Sequence, residues 1–169
     1  GVRLVGSEMC IRDRHCTQSN INVCYSLDTR NPKRPKSRNW YEFQITVPSS
    51  VYTLPGYPKR NEPFFIVTDD GFMFKAHTTS DNNKQLNAVG SEHILGYWLK
   101  GRIAAAGLVT PVHDTQKDTD RIGMITKEML EAYGCDSLTF TKTNKKAADE
   151  DGNELDVWIV EFISSKDEE

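Results

Sequence analysis

The sequence predicts a mainly β (α+β) domain, a small barrel of about seven short strands with two short helices at its ends. Three observations lead to this class. Short runs rich in β-branched and aromatic residues alternate with turn residues along the chain. An Asp-Asp-Gly turn at residues 69–71 joins two such runs. Two segments carry helix start and stop signals.

Alternation and turn residues locate the strands. Residues 41–47 alternate apolar and polar side chains, which is typical of a half-buried strand, and Pro48 ends the run. Gly71 favours a tight hairpin after residues 64–68 because glycine adopts a positive φ at little steric cost. The predicted strands are residues 21–29, 41–47, 64–68, 72–77, 86–89, 138–142 and 155–163.

Capping residues locate the helices. Residues 91–106 predict the first helix, with Ser91 as N-cap and Gly107 at the C′ position. Residues 126–133 predict the second, which starts after an N-capping threonine and stops at a glycine. An apolar stripe along the first helix predicts its buried face: Ile94, Leu95, Trp98, Leu99 and Ile103.

Charge is distributed unevenly along the 169 residues. The formal net charge is -3, which by itself indicates no nucleic-acid partner. Residues 1–113 carry 14 basic and 9 acidic side chains, whereas residues 114–169 carry 7 and 15. This asymmetry indicates either a directed basic face or chance clustering with an acidic tail. No apolar run approaches the roughly 20 residues that would cross a bilayer, so we expect no membrane association.

The four cysteines form no C-x-x-C pair and match no zinc template: Cys10, Cys16, Cys24 and Cys135. No secretory signal is evident, so we expect reduced thiols and a cytoplasmic location. The sequence predicts no metal and no cofactor.

The beginning and end of the chain stand apart from the domain. Residues 5–14 resemble a translated sequencing adapter, so we expect residues 1–14 to be non-native and the natural protein to continue upstream. A native N-terminal segment without regular structure is the alternative. We expect the domain to span residues 15–163 and residues 164–169 to form a frayed acidic tail.

The sequence lacks the motifs of several classes of catalytic site. None of the four histidines begins the His-x-Lys motif of phospholipase-D-type nucleases. Asp69 and Asp70 precede Lys75, but no acid stands two residues before that lysine, as a metal-dependent nuclease requires, so a plain turn is the expected role. No phosphate-binding glycine loop or nucleophile elbow occurs. A cysteine nucleophile assembled by the fold remains an alternative, but we predict no catalytic residue.

Two loops carry chemistry that suits DNA. Five basic side chains and no acid lie in residues 30–40, where they suit phosphates, and arginine can bridge guanine O6 and N7. Residues 78–85 are wholly polar, and their amides and hydroxyls suit base edges and phosphate oxygens. A solvated linker and an ordinary hairpin tip are the respective alternatives.

Five segments resemble, in order, the C-terminal domain of the NgoFVII family of restriction endonucleases. They are Lys36-Ser-Arg-Asn-Trp-Tyr-Glu-Phe, Phe65-Ile-Val-Thr-Asp-Asp-Gly-Phe-Met-Phe-Lys, Asp81-Asn-Asn-Lys-Gln-Leu, Ile94-Leu-Gly-Tyr-Trp-Leu-Lys-Gly-Arg and Met124-Ile-Thr-Lys-Glu-Met-Leu-Glu-Ala-Tyr-Gly. The resemblance runs from about residue 20 to residue 163.

The resemblance implies a B3-like DNA-binding pseudobarrel that reads a short duplex site with two arms. The implied N-arm is Arg30, Asn31, Lys33, Arg34, Lys36, Ser37, Arg38, Asn39 and Trp40. The implied C-arm is His77, Thr78, Thr79, Ser80, Asp81, Asn82, Asn83, Lys84 and Gln85. The implied partners are double-stranded DNA, an upstream phospholipase-D-like nuclease domain of the same polypeptide, and a second copy bound through that domain.

The leading hypothesis is therefore sequence-specific binding of double-stranded DNA, as the target-recognition domain of a type II restriction endonuclease, without catalysis in this chain. One alternative is a non-catalytic interaction domain whose basic arm docks an acidic protein partner. Another is a free-standing enzyme with an unrecognised site.

Overall fold

The computed structural model describes residues 3–10, 19–25, 38–47, 49–53, 55–60, 62–91, 93–135 and 137–162. Its strands are β1 (Arg3–Cys10), β2 (Ser19–Asn20), β3 (Ile45–Thr46), β4 (Phe64–Thr68), β5 (Met73–Thr79), β6 (Gln85–Ala88), β7 (Ser137–Ala148) and β8 (Glu154–Glu161). Its helices are α1 (Ser49–Tyr52), α2 (Ile94–Ala105) and α3 (Lys127–Tyr133).

The described strands form one mixed sheet in the order β2-β1-β7-β8-β4-β5-β6-β3. The β1–β2 and β4–β8 pairs are parallel, and the others are antiparallel. The two end strands, β2 and β3, contact each other, so the sheet curls around its core. The mainly β class is confirmed. The count of about seven strands is not, because the described residues form eight, two of them only two residues long.

The hairpin at the Asp-Asp-Gly turn is confirmed. Strands β4 and β5 pair from Phe64 opposite Ala76 to Val67 opposite Met73. Gly71 has a φ of 92°, which is the left-handed conformation that the turn requires.

Both predicted helices are present, but they are capped differently. Thr126 caps α3 by accepting a hydrogen bond from the Met129 amide at 3.2 Å, and Gly134 ends that helix with a φ of 98°. Helix α2 begins at residue 94, after His93, whose side chain makes no capping bond. The prediction of Ser91 as its N-cap is therefore wrong. The Ser91 hydroxyl accepts from the backbone amide of His93 at 3.3 Å, the residue that precedes the helix.

The strand predicted over residues 21–29 is wrong in its described part. Residues 21–25 form a turn that continues into a 3₁₀ helix at Val23–Tyr25. The amide side chain of Asn22, fully buried, donates to the Ile125 carbonyl and accepts from the Ile125 amide, each at 2.9 Å. This side-chain pairing satisfies the backbone of Ile125 in the way that a neighbouring strand would.

The proposed limits of the domain stay predictions. Residues 3–10, which the sequence sets apart, form strand β1 and pair with β7. The predicted tail, residues 164–169, lies outside the described residues. The core contains Trp98 of α2 and Trp158 of β8, which are 7% and 4% exposed.

Candidate nucleic-acid interface

The C-arm consists of the end of β5, the start of β6 and the connection between them, which contains a 3₁₀ turn at Asp81–Asn83. Ser80, Asn82 and Asn83 adopt φ values of 72°, 59° and 56°, a conformation that asparagine tolerates better than most residues. The Tyr57 hydroxyl donates to the Asn83 carbonyl at 2.5 Å, and the Val47 amide donates to the Lys84 carbonyl at 2.6 Å. The turn is thus braced from two neighbouring segments.

The strands that carry this turn present a polar face. In the β5–β6 pair, His77 lies opposite Asn87 and Thr79 lies opposite Gln85. The side-chain amide of Asn87 donates to the Thr79 hydroxyl at 2.7 Å, across the two strands. Successive side chains on a strand point to opposite faces, so these four polar residues share one face of the ribbon.

Thr78 lies on the other face of that ribbon. It is 1% exposed, and its hydroxyl donates to the Pro58 carbonyl at 3.4 Å. Its predicted role as a DNA-contacting residue is therefore corrected to one in the core, since a buried hydroxyl of this kind does not reach a duplex. The remaining C-arm residues are partly or fully exposed.

The polar face of the ribbon forms one wall of a cleft. The rest of its lining comes from the end of the N-arm and the segment just after it. The ribbon contributes His77, Gln85 and Asn87 to the cleft. Gln44 directly precedes β3, which pairs with β6, so it lies beside Asn87, and Arg38 and Glu42 add to the polar lining. The cleft thus joins the C-arm ribbon to the base of the N-arm.

Most of the N-arm prediction falls on residues that the structure leaves undescribed. Arg30, Asn31, Lys33, Arg34, Lys36 and Ser37 lie outside the described residues. Arg38 is described: its Nε lies 2.8 Å from Glu42 Oε2, and its Nη1 donates to the Val23 carbonyl at 3.4 Å. The Arg38–Glu42 contact is an ion pair in which the buried Nε makes no hydrogen bond, and the guanidinium lines the cleft.

The last two N-arm residues shape the turn that ends the arm. The Asn39 side-chain oxygen accepts from the Tyr41 amide at 2.8 Å, so it is engaged within the chain. Trp40 is 1% exposed, and its indole nitrogen donates to the Gly123 carbonyl at 2.7 Å. The assignment of Trp40 to the DNA-contacting surface is corrected: its large apolar ring is buried, and it anchors the end of the arm in the core.

The two acids of the hairpin turn have structural roles. Asp69 pairs with Arg102 of α2 and accepts from the Phe162 amide at 2.8 Å. Asp70 accepts from the Trp98 indole at 2.9 Å and from the Thr68 hydroxyl at 2.5 Å. Desolvation raises the pKa of Asp70, but these hydrogen bonds outweigh it and lower the pKa below its usual value.

Cys24 lies beside the cation of Lys100, but its thiol is not activated as a nucleophile. Cys24 is 1% exposed, and burial raises the pKa of its thiol although Lys100 Nζ lies 3.4 Å away. A nucleophilic thiolate requires a lowered pKa and access to substrate. Within the described ranges, no three metal-ligating side chains of the His, Cys, Asp or Glu type come together. In the same part of the chain, every helix is too short or too polar to cross a bilayer.

The predicted arms omit polar residues of the cleft, among them Glu42, Gln44 and Asn87. Gln44 and Asn87 line the cleft, but the predicted arms were bounded by charge and polarity rather than by strand faces. The signal was available: Gln44 is a polar position of an alternating run, and Asn87 stands two residues after Gln85 on one strand.

Comparison with known proteins gives one family. The family model described as the NgoFVII C-terminal B3-like DNA-binding domain matches residues 6–133. This match includes both arms and both walls of the cleft. No curated protein matches the chain.

Proposed function

The chain belongs to the family of NgoFVII C-terminal B3-like DNA-binding domains, and from that premise we propose that it is the target-recognition domain of a type II restriction endonuclease. The partner is double-stranded DNA. The finer proposal is that the domain reads a specific short site.

The observation that carries the proposal is the cleft between the two arms. It collects side chains that suit base edges: the amides of Gln44, Gln85 and Asn87, the ring of His77 and the guanidinium of Arg38. Asparagine and glutamine pair with adenine through two hydrogen bonds, and arginine does so with guanine. A binding surface that only gripped phosphates would not need amides in this number.

The shape of the β5–β6 pair supports the same proposal. Strands β5 and β6 are antiparallel neighbours within the curled sheet, flanked by β4 and β3, with a polar face and a braced turn at their tip. The major groove of B-DNA, about 12 Å wide, admits a two-stranded ribbon. In this arrangement the C-arm enters the groove and the polar face of the ribbon meets the base edges.

The N-arm supplies the charge. Its basic residues, Arg30, Lys33, Arg34 and Lys36, would lie along the phosphates on the other side of the cleft. Arg38, at the edge of the cleft, would exchange its contact with Glu42 for one with DNA. Binding would then be both salt-dependent and sequence-dependent.

Cutting belongs, in this proposal, to an upstream phospholipase-D-like nuclease domain of the same cytoplasmic polypeptide, with dimerisation through that domain. Asp69 and Asp70 are engaged in hydrogen bonds within the fold, and Cys24 is buried. Residues 15–163 would be the recognition domain.

The test is selection of bound sequences from a random duplex pool, followed by titration of the enriched duplex and a scrambled one at several salt concentrations. We expect one enriched sequence and a steep loss of affinity with salt for both duplexes. A pool that stays random while binding remains salt-dependent would leave DNA binding intact but refute target recognition. Affinities that do not change with salt for either duplex would refute the proposal that the N-arm binds phosphates.

A further inference from the structure

Helix α2 contains a lysine that is removed from water. Lys100 is fully buried, with 0% of its surface exposed, although lysine is among the residues least often found in protein interiors. Burying an ammonium costs free energy unless hydrogen-bond acceptors replace water. Burial accordingly lowers the pKa of Lys100.

The acceptors of Lys100 lie on both sides of the N-arm. The ammonium donates to the carbonyl of Trp40, the last residue of the arm, and, at 3.4 Å, to the carbonyl of Glu42, just after it. It also lies 3.4 Å from the Cys24 sulfur, just before the arm. The Trp40 ring adds a cation–π contact, with Nζ 4.5 Å from its centre. One side chain of α2 therefore ties together the two ends of the arm.

Two nearby hydrogen bonds between uncharged groups also hold the end of the arm. The Trp40 indole donates to Gly123, and the Thr115 hydroxyl donates to the Arg38 carbonyl at 3.2 Å. These bonds hold only the end of the arm. Lys100 also contacts Cys24, in the segment that precedes the arm, and the Arg38 guanidinium reaches the same segment at the Val23 carbonyl.

We propose that Lys100 is a positioning residue for DNA recognition: it fixes the separation of Cys24 from the turn at Trp40 and Glu42, the described residues on either side of the N-arm. The inference rests on the proposed function. Being buried, Lys100 does not touch DNA. Holding the ends of the arm in place reduces the conformational entropy that is lost on binding, and this matters most when the arm must fit one site. Binding to phosphates alone tolerates a looser arm.

The experiment compares the whole chain with its Lys100→Met variant, which keeps the length of the side chain and removes its donors. The probes are the duplex enriched from a random pool and a scrambled duplex of the same composition, titrated well below the melting temperature of both proteins. We expect affinity for the enriched duplex to fall roughly tenfold or more and affinity for the scrambled duplex to change about threefold or less. An unchanged ratio of the two affinities would overturn the inference.

Two further variants separate positioning from stability. Ile103→Ala, on the same helix at a fully buried position, loses core packing and serves as the matched control. It should lower the melting temperature and keep the affinity ratio. Lys100→Gln retains an amide donor, and we expect it to recover part of the ratio; a Lys100→Gln variant that discriminates no better than Lys100→Met contradicts a role through hydrogen bonds to the arm.

The unmodified protein provides a test that needs no variant. The amides of Tyr41 and Glu42 donate to Asn39 within the turn. They should exchange with solvent as slowly as those in the middle of α2 if Lys100 also holds this turn against the helix. Much faster exchange in this turn would count against the tie even where Lys100→Met does not fold. If the unmodified chain does not distinguish the two duplexes, the proposed function fails; if it does and Lys100→Met does so equally, only the positioning role fails.

Discussion

Helix α2 approaches the turn after the N-arm so closely that a Cβ built on Gly96 would lie 1.5 Å from the Tyr41 carbonyl oxygen. Helix α2 therefore contacts the turn directly through its backbone. Side chains of normal size at this position would push the helix and the turn apart. Because the turn follows the N-arm, the glycine couples helix packing to the position of the arm.

The first prediction concerns this contact. Gly96→Ala should destabilise the domain by about 1–3 kcal/mol or more, because the new methyl group meets backbone rather than a movable side chain. Gly101→Ala is the matched control on the same helix, since no atom lies within 4 Å of its Cβ position. That variant should gain up to about 1 kcal/mol from helix propensity. Urea unfolding measures both changes, and equal effects at the two positions would contradict the packing described.

A second prediction concerns the polar face of the ribbon. Gln85→Ala should weaken binding to the enriched duplex by about 1–3 kcal/mol, the value of one good contact between an amide and a base. Binding to a scrambled duplex should change little, because no phosphate contact is removed. Asn144→Ala, on an exposed position of β7, is the control and should leave both affinities unchanged. Equal losses on the two duplexes would show that Gln85 does not read bases.

Salt dependence tests the N-arm. Replacing Lys33 and Lys36 with glutamine should reduce the slope of log K against log salt by about 2, since each phosphate contact on B-DNA contributes about 0.9. The same change at Lys145 and Lys146 is the control, because these exposed lysines lie on β7, separated from β5 by β8 and β4 in the sheet. The slope is read from fluorescence titrations at several salt concentrations. A slope that falls equally in both double variants would mean that the basic residues act through net charge rather than through the arm.

The fourth prediction follows from Asp118. This carboxylate, 9% exposed, accepts hydrogen bonds from the Tyr25 hydroxyl at 2.5 Å and from the Ile122 and Gly123 amides at 3.0 Å. Desolvation raises its pKa, but these bonds outweigh that effect and lower the pKa below its usual 3.8. A carboxyl whose pKa is lower in the folded state stabilises the protein above pH 3.8, and this stabilisation is lost as pH falls through the folded-state pKa.

Asp118→Asn should therefore destabilise the domain at neutral pH, and the difference from the unmodified protein should narrow as the solution is acidified below about pH 4. Thermal unfolding at a series of pH values measures this difference. A difference that stays constant across the acidic range would show that Asp118 acts by packing rather than by its charge.

Local signals in the sequence predicted the elements whose stability is local. The β4–β5 hairpin follows from Gly71 and helix α3 from Thr126 and Gly134, since each of these residues acts on its own turn. Composition likewise predicted a polar loop at residues 78–85, and the structure places residues 80–84 between β5 and β6 and leaves them partly or fully exposed. These local signals do not predict a conformation that depends on a residue distant in sequence. Asn22 stands in a run of strand-forming residues, but its side chain pairs with Ile125, 103 residues away in sequence.

The sequence by itself determined the class of the fold and the family, because these depend on the order of residues along the chain, and it suggested the two arms, which stay predictions. Only the tertiary structure decided which of the described arm residues face solvent, since Thr78 and Trp40 are buried while the other described C-arm residues are at least partly exposed. The tertiary structure also brought Gln44 beside Asn87 and set Lys100 between the two ends of the N-arm. The contact between Gly96 and Tyr41 belongs to the same group. Such relationships join residues that are far apart in sequence, and the packing of α2 and the curled sheet creates them.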